Sequence, residues 1–295
     1  VSGQFAGSAA LAALLDLERL EDDLFRSATD HVEGGRDRVF GGQVAAQALV
    51  AAGRTVTQGA VHSLHSYFLR PGDLAVPIVF AVDRIRNGRS FTTRRVVAVQ
   101  HGEAIFNLQC SFHVDEPGPE HGLPAPAVPA PDEIADAAAS SPGAGNRRAP
   151  AGLLGTVELR YVTEVPWQRN APGTAQRVWL RAAEALPDDA LLHAAAITFA
   201  SDFSLLDAAL QPHGLSTSTD GFTGASLDHC MWFHRPARAD EWLLYDQHSP
   251  SATHARGLAI GSLYTRAGEL VVTVAQEGLL RFRPGSAGDA AWRAG

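Results

Sequence analysis

A chain of 295 residues with 45% hydrophobic and 19% charged side chains has the composition of a globular protein with a substantial core, and its length suits one large domain or two smaller ones in tandem. Its formal charge of −8 lacks the basic footprint that nucleic acid or an anionic membrane surface demands, and no stretch reads as the ~20 apolar residues needed to cross a bilayer. The cysteines, Cys110 and Cys230, have no paired spacing, which argues against a disulfide scaffold and against a zinc site.

From the N-terminus, Leu11, Leu14, Leu15, Leu17, Leu20 and Leu24 recur at largely helical spacing behind Ser8 as a cap, predicting one leading helix. Asp16, Glu18, Glu21, Asp22 and Asp23 make that helix amphipathic, and no basic segment precedes it, so it does not read as a secretory leader and a cytoplasmic location is expected. Residues 40–56 (FGGQVAAQALVAAGRTV) run through Ala, Gln, Leu and Val without an internal breaker, as a buried central helix does. Strand-like runs follow at 61–69, 76–86, 91–100 and 103–113. Asn87-Gly88 is the dipeptide that supplies positive φ for a tight hairpin, and Gly102 marks another turn. The first 113 residues therefore read as a long helix on an antiparallel sheet.

Residues 115–155 are rich in Pro, Ala, Gly and Ser, a composition unsuited to a core, and predict an interdomain linker that lies partly along the surface. The earlier order then returns, with strands at 157–165 and 177–182, a helical stretch at 189–210, and strands at 226–233, 241–246, 255–265 and 269–282. SYFLRPG (66–72) answers MWFHRPA (231–237), and HGEAIF (101–106) answers AGELVV (267–272). This internal duplication implies two equivalent modules, at 1–114 and 156–285 with a tail at 286–295, whose sheets can pair edge to edge and so remove exposed strand edges.

Several chemistries find no support. Ser90 in GRSFT and Ser226 in GASLD lack the second glycine of a nucleophile elbow, and there is no dinucleotide fingerprint, P-loop or HExxH. His62 and His65, three apart on a strand, point to opposite faces and suit packing better than metal ligation.

The blocks FGGQVAAQAL (40–49), VHSLHSYFLRPGD (61–73), ASDFSLLDAALQPHG (200–214), DHCMWFHRP (228–236), DEWLLYDQHS (240–249) and AQEGLLR (275–281) resemble, in order and nearly end to end, the acyl-CoA thioesterase II family. The resemblance implies an α+β double hotdog fold, in which each module wraps an antiparallel sheet around a long helix. It further implies a working site in the C-terminal half made of an Asp, a Thr or Ser hydroxyl and a Gln that hold a water. Carried over, these are Asp202 in ASDF, Ser226 before Leu-Asp-His, and Gln276 in AQEG. Relatives carry Thr where this chain has Ser226, so the hydroxyl survives on a freer rotor.

Thioester hydrolysis needs a base for water, donors that orient it and stabilisation of an oxyanion. Asp202 would be the base, its pKa raised in a partly dry pocket, with Ser226 and Gln276 hydrogen-bonding the same water or the carboxylate. Taken alone, Asp202 reads more often as a helix cap or turn residue, Ser226 as a strand-end hydroxyl and Gln276 as an ordinary strand polar residue, and it is the match of all three to separate blocks of the resemblance that favours the functional reading. Gly41 and Gly42 would let the start of the central helix polarise the thioester carbonyl, or simply permit tight packing. Arg84, Arg86, Arg89, Arg94 and Arg95 around Asn87 are equally a phosphate site for coenzyme A or a solvated sheet edge. Phe68 and Trp232 mark a candidate wall for an apolar acyl tunnel, or core.

The substrate implied is acyl-CoA, with no separate cofactor and no metal, and without nucleic acid or membrane as partner; a homodimer or homotetramer is expected. Two alternatives remain open. A hotdog hydratase acting on enoyl thioesters would share the fold, although no Gly-Asp-x-Asn-Pro segment with a downstream His occurs. A catalytically silent acyl-CoA binding protein would lack an equivalent of Asp202 or Gln276, and both are present.

Overall fold

A computed structural model of the chain describes residues 10–28, 38–134, 156–169 and 171–294. The N-terminal half opens with α1 (Ala10–Leu15), β1 (Leu17–Glu21) and β2 (Leu24–Ser27). The expected leading helix thus stops at Leu15, and Ser8, its expected cap, lies outside the described residues. The leucines at 17, 20 and 24 belong instead to a hairpin, in which Leu24, Phe25 and Arg26 pair with Ala81, Phe80 and Val79. A spacing that suits a helix was overridden by a sheet edge that needed a partner, because pairing context outweighs local propensity.

The long helix α2 (Gly41–Gly53) follows, then β3 (Ala60–Phe68), β4 (Val79–Asn87), β5 (Phe91–Gln100) and β6 (Glu103–His113). Every residue of α2 from Gly42 to Ala52 is buried, as its unbroken apolar surface requires. Leu49, Val44 and Val50 each contribute about 1.5–3 kcal/mol by leaving water. The β4–β5 connection falls where Asn87-Gly88 placed it, but neither residue takes a positive φ. The turn is wider, with Gly88 N–H donating to the Phe91 carbonyl at 2.9 Å, and Asn87 turns its Oδ1 to Arg94.

In the C-terminal half the order is β7 (Val157–Tyr161), β8 (Gln176–Ala182), α3 (Ala190–Ser201), α4 (Leu205–Leu210), β9 (Phe222–Ser226), β10 (Asp228–Phe233), β11 (Leu243–Thr253), β12 (Arg256–Thr265), β13 (Leu270–Phe282) and α5 (Ala287–Ala294). Two expected elements are split: the helical stretch at 189–210 breaks after Ser201, and the strand at 226–233 breaks at Leu227. The run Ala190–His213 is long and apolar enough to cross a membrane, which the sequence reading did not register, but 78% of its most apolar window is buried inside the protein. It is a core helix pair.

The strands form one 13-stranded antiparallel sheet in the order β1-β2-β4-β5-β6-β3-β10-β13-β12-β11-β8-β7, with β9 paired to β13. The halves join where β3 meets β10, with Leu64 opposite Met231 and His65 opposite Cys230. The same strands carry SYF and MWF, so the repeat seen in sequence marks the seam of a double hotdog. The second repeat marks equivalent turns, with positive φ at Gly102 between β5 and β6 and at Gly268 between β12 and β13.

The helices α2 and α3 lie side by side in opposite directions inside one continuous core. Gly42, near the start of α2, abuts the Phe199 carbonyl near the end of α3, and Gly53 abuts Leu191 near its start. Part of the Pro-rich connection, 115–134, crosses the other face of the C-terminal half. There Ala125, Val128 and Ile134 cover Trp179, Trp242, Leu244 and Tyr264, and Trp179 Nε1 donates to the Pro129 carbonyl at 3.0 Å. That segment therefore completes a small apolar cluster; the rest of the expected linker, 135–155, lies outside the described residues.

Candidate functional site

Asp202 sits where α3 ends. That helix starts on Asp189, whose carboxylate accepts from Leu192 N–H at 3.0 Å, and closes with Asp202 as its C-cap. Because α3 runs antiparallel to α2, the end of one helix lies at the beginning of the other. The Asp202 carboxylate, 8% exposed, meets the N-terminus of α2, which has no side-chain cap of its own. Gly42 N–H donates to it, and a Cβ on Gly41 would lie 2.8 Å from Oδ2. A carboxylate from one half thus takes the capping place on the helix of the other, where unpaired N–H groups and the helix dipole favour negative charge.

Ser226 is the last residue of β9. Leu227 then passes the chain to β10, held by its N–H donating to the Glu277 carbonyl at 2.9 Å and its carbonyl accepting from Phe68 N–H at 3.0 Å. This switch aims the Ser226 hydroxyl inward, and Oγ donates to Asp202 Oδ1 at 3.0 Å. Gln276 lies on β13, where alternation turns Val274, Gln276 and Gly278 toward the core. It is 1% exposed; its Nε2 donates to Ser226 Oγ at 2.8 Å, and its amide also hydrogen-bonds the Asp202 carboxylate. Three residues far apart in the chain thereby share one hydrogen-bonded cluster, at a place where both halves meet.

Burial raises the Asp202 pKa above the ordinary carboxylate range, against the opposing pull of His229, the Ser226 and Gln276 hydrogen bonds and the Gly42 N–H. The result is a carboxylate held by donors yet more basic than one in water.

His229 completes the cluster and escaped the sequence reading. It is fully buried on β10, with Nδ1 2.5 Å from Gln276 Oε1 and Nε2 2.9 Å from Ser201 Oγ. Burial lowers its pKa, so the imidazole is neutral at physiological pH. The available signal was alternation: in DHCMWF, residues 229 and 231 share one face and 230 and 232 the other, so once Met231 is core His229 is too. Tyr245, also buried, donates its hydroxyl to the Ser201 carbonyl at 3.1 Å, in space left open by Gly261.

The other candidates take different places. Gly42 N–H is engaged by Asp202, so it does not point at a substrate carbonyl. Arg94 is 2% exposed and spends its guanidinium on Thr55 Oγ1, Asn87 Oδ1 and the carbonyls of Thr55, Arg86 and Thr93, which makes it a structural tie rather than a phosphate ligand. Arg84 and Arg95 pair with Asp23 and Asp83. This hairpin packs at the far end of α2, about 20 Å of helix from Asp202 at 1.5 Å per residue. Phe68 does lie at the site, its ring 2.9 Å from where a Gly41 Cβ would stand. Trp232 faces the other side of the sheet, edge-on to His65, because it alternates with His229 and Met231. His62 packs separately against Phe91 and His113, Ser90 Oγ donates to Glu116, and Cys110 and Cys230 are free thiols.

Known proteins share this architecture. The family described as acyl-CoA thioesterase matches residues 153–279, and the acyl-CoA thioesterase N-terminal domain matches residues 29–113. Acyl-coenzyme A thioesterase 8 of Mus musculus is 40% identical over 293 residues, covering 94% of this chain and 90% of that protein. The crystal structure of acyl-CoA thioesterase II TesB2 from Mycobacterium marinum superposes with a TM-score of 0.77 at 43% identity, covering 94% of this chain and 100% of that one. A conserved protein of unknown function with hot dog fold from Alicyclobacillus acidocaldarius shares the fold at a TM-score of 0.77 and 18% identity, covering 94% of this chain and 100% of that chain. With both halves matched and the identity spread over nearly the whole length, this chain belongs to the acyl-CoA thioesterase family.

Proposed function

We propose that this protein hydrolyses acyl-CoA thioesters to a free carboxylic acid and coenzyme A, with the attacking water activated by Asp202 and oriented by Ser226 and Gln276. The observation that carries the reading is the convergence of one buried carboxylate with two directed donors at the N-terminus of α2, in a chain whose relatives bear the name acyl-CoA thioesterase. Asp202 accepts a proton from water as the water oxygen attacks the thioester carbonyl carbon. Collapse of the tetrahedral oxyanion then breaks the C–S bond, and the departing thiolate takes up the proton held by Asp202, which restores the carboxylate. Water is a poor nucleophile until its proton has somewhere to go, and the carboxylate supplies that place. A base so placed supplies on the order of 10²–10⁴ in rate.

Two features support Asp202 as that base over a purely structural cap. Its pKa is raised, and Ser226 holds Oδ1 while Oδ2 lies against Gly41, where the absence of a side chain lets the helix backbone approach the carboxylate beside Phe68. Ser226 donates its single proton to the carboxylate, so it fixes the lone pairs of Asp202 toward the water position rather than acting as a nucleophile. The test is free-thiol release from short-, medium- and long-chain acyl-CoAs, with wild type beside Asp202→Asn. Release by wild type that falls by about 10²-fold or more in the variant is the expected result. Binding of acyl-CoA without any release would overturn the reading in favour of a silent binder. We further propose that the double module associates as a homodimer or homotetramer, which a monomer mass by light scattering would refute.

A further inference from the structure

We infer that His229 is a positioning residue for the hydrolysis, acting as its Nδ1–H tautomer to hold the Gln276 side-chain amide with nitrogen toward Ser226 and oxygen away from it. This inference rests on the proposed hydrolase reading and adds to it a residue that touches neither water nor substrate.

The argument is one of hydrogen-bond direction. An ionised Asp202 only accepts, so the one proton of Ser226 points to Oδ1, 3.0 Å away. Ser226 Oγ must then receive its second bond as an acceptor, and it does, from Gln276 Nε2 at 2.8 Å. That orientation leaves Gln276 Oε1 facing His229 Nδ1 at 2.5 Å, and an amide oxygen accepts only, so Nδ1 carries the proton. The neutral ring then has a bare Nε2, which accepts from Ser201 Oγ at 2.9 Å. Ser201, His229, Gln276, Ser226 and Asp202 form a chain in which every donor points toward the carboxylate.

The opposite direction is also open to the same atoms. Ser201 Oγ lies 3.0 Å from the Thr198 carbonyl and can donate there instead. The ring would then carry its proton on Nε2, Nδ1 would accept from a flipped Gln276 amide, and Oε1 would draw the Ser226 proton away from Asp202. While Asp202 is ionised, its own demand for donors opposes that flip, since the Gln276 amide also hydrogen-bonds the carboxylate. Once Asp202 has taken the proton from water, that demand is gone. Ser226 can pair with either end of the amide, so the Nδ1–H of His229 is what favours the Oε1-inward orientation through the protonated half of the cycle. Its place is rigid: the ring is fully buried, and its backbone carbonyl accepts from Ser66 Oγ at 2.8 Å across the seam between the halves.

The tautomer is read on the wild-type protein by ring ¹⁵N NMR, with the His229 signals assigned by through-bond correlation to its backbone. A protonated Nδ1 with a bare Nε2 is expected, and this measurement stands even if a variant fails to fold. His229→Leu, which leaves Oε1 without a donor, is expected to lower kcat by about 10²-fold with KM within about twofold, the scale of a misplaced catalytic group. His229→Asn, whose side-chain N–H sits close to the position of Nδ1–H, is expected to recover at least about tenfold of that loss. A wild-type protein that releases no thiol sinks the hydrolase reading and this role with it. An active wild type that shows the Nε2–H tautomer, or a folded His229→Leu with undiminished kcat, overturns the role alone.

Discussion

Asp202 experiences two opposed forces, and their balance sets how the protein responds to pH. Desolvation raises its pKa, while three donors and a neighbouring imidazole hold it down without cancelling the rise. The acid limb of kcat/KM is therefore expected above the ~3.9 of a free aspartate, with activity lost as pH falls through the raised value and the limb absent from the residual activity of Asp202→Asn. For stability the sign is reversed. A raised folded pKa favours the folded state below the unfolded value, and that contribution is lost as pH rises through the folded pKa. Above that folded value the ionised carboxylate costs stability, so in that range Asp202→Asn is expected to melt no lower than wild type while losing turnover; a lowered Tm there would show that the charge is needed for folding. Ser226 acts through one proton and one lone pair. Ser226→Thr keeps both and is expected to retain activity, whereas Ser226→Ala leaves Gln276 Nε2 and Asp202 Oδ1 without their shared partner and is expected to lower kcat by at least about tenfold. Alanine behaving like wild type in thiol release would remove the hydroxyl from the mechanism.

At the scale of elements, the site depends on how closely two helices approach. A Cβ on Gly42 would stand 2.4 Å from the Phe199 carbonyl oxygen and 2.5 Å from the Phe40 ring, so the contact is made of backbone and cannot relax cheaply. Gly42→Ala is expected to destabilise the fold by about 1–3 kcal/mol, measured by denaturant unfolding, and to lower kcat as well, because separating α2 from α3 moves the Gly42 N–H away from Asp202. Unchanged stability would mean that the helices part freely. The break between α3 and α4 belongs to the same geometry. A continuous helix over 189–210, as the sequence suggested, would carry residue 202 onward around the helix; ending at Ser201 leaves Asp202 as a cap whose side chain reaches the neighbouring helix. In the same way the one-residue switch at Leu227 separates two strands that share β13 as partner and sets Ser226 at their junction.

Across the whole molecule, the three proposed residues all lie in the C-terminal half, but their surroundings do not. Gly41, Gly42 and Phe68 from the N-terminal half border Asp202, and the β3–β10 seam holds the β10 strand that carries His229. A fragment spanning 156–285 is therefore expected to be inactive in thiol release although it contains Asp202, Ser226 and Gln276, and adding the N-terminal half is expected to restore activity; an active fragment alone would show that the site is complete within one half. From the sequence alone the double module could be read, because apolar periodicity, turn residues and repeated blocks such as SYFLRPG and MWFHRPA are local signals that survive without coordinates, while the family and the three proposed polar residues came from the resemblance carried by blocks such as ASDFSLLDAALQPHG and AQEGLLR. Tertiary structure decided the rest. It turned the leucines of 17–24 into a hairpin, buried Arg94 as a tie, placed Trp232 on the outer face, and brought His229 behind Gln276. Each of these outcomes depends on which strand edge, helix end or donor stands opposite, and that is set by contacts between residues far apart in the chain.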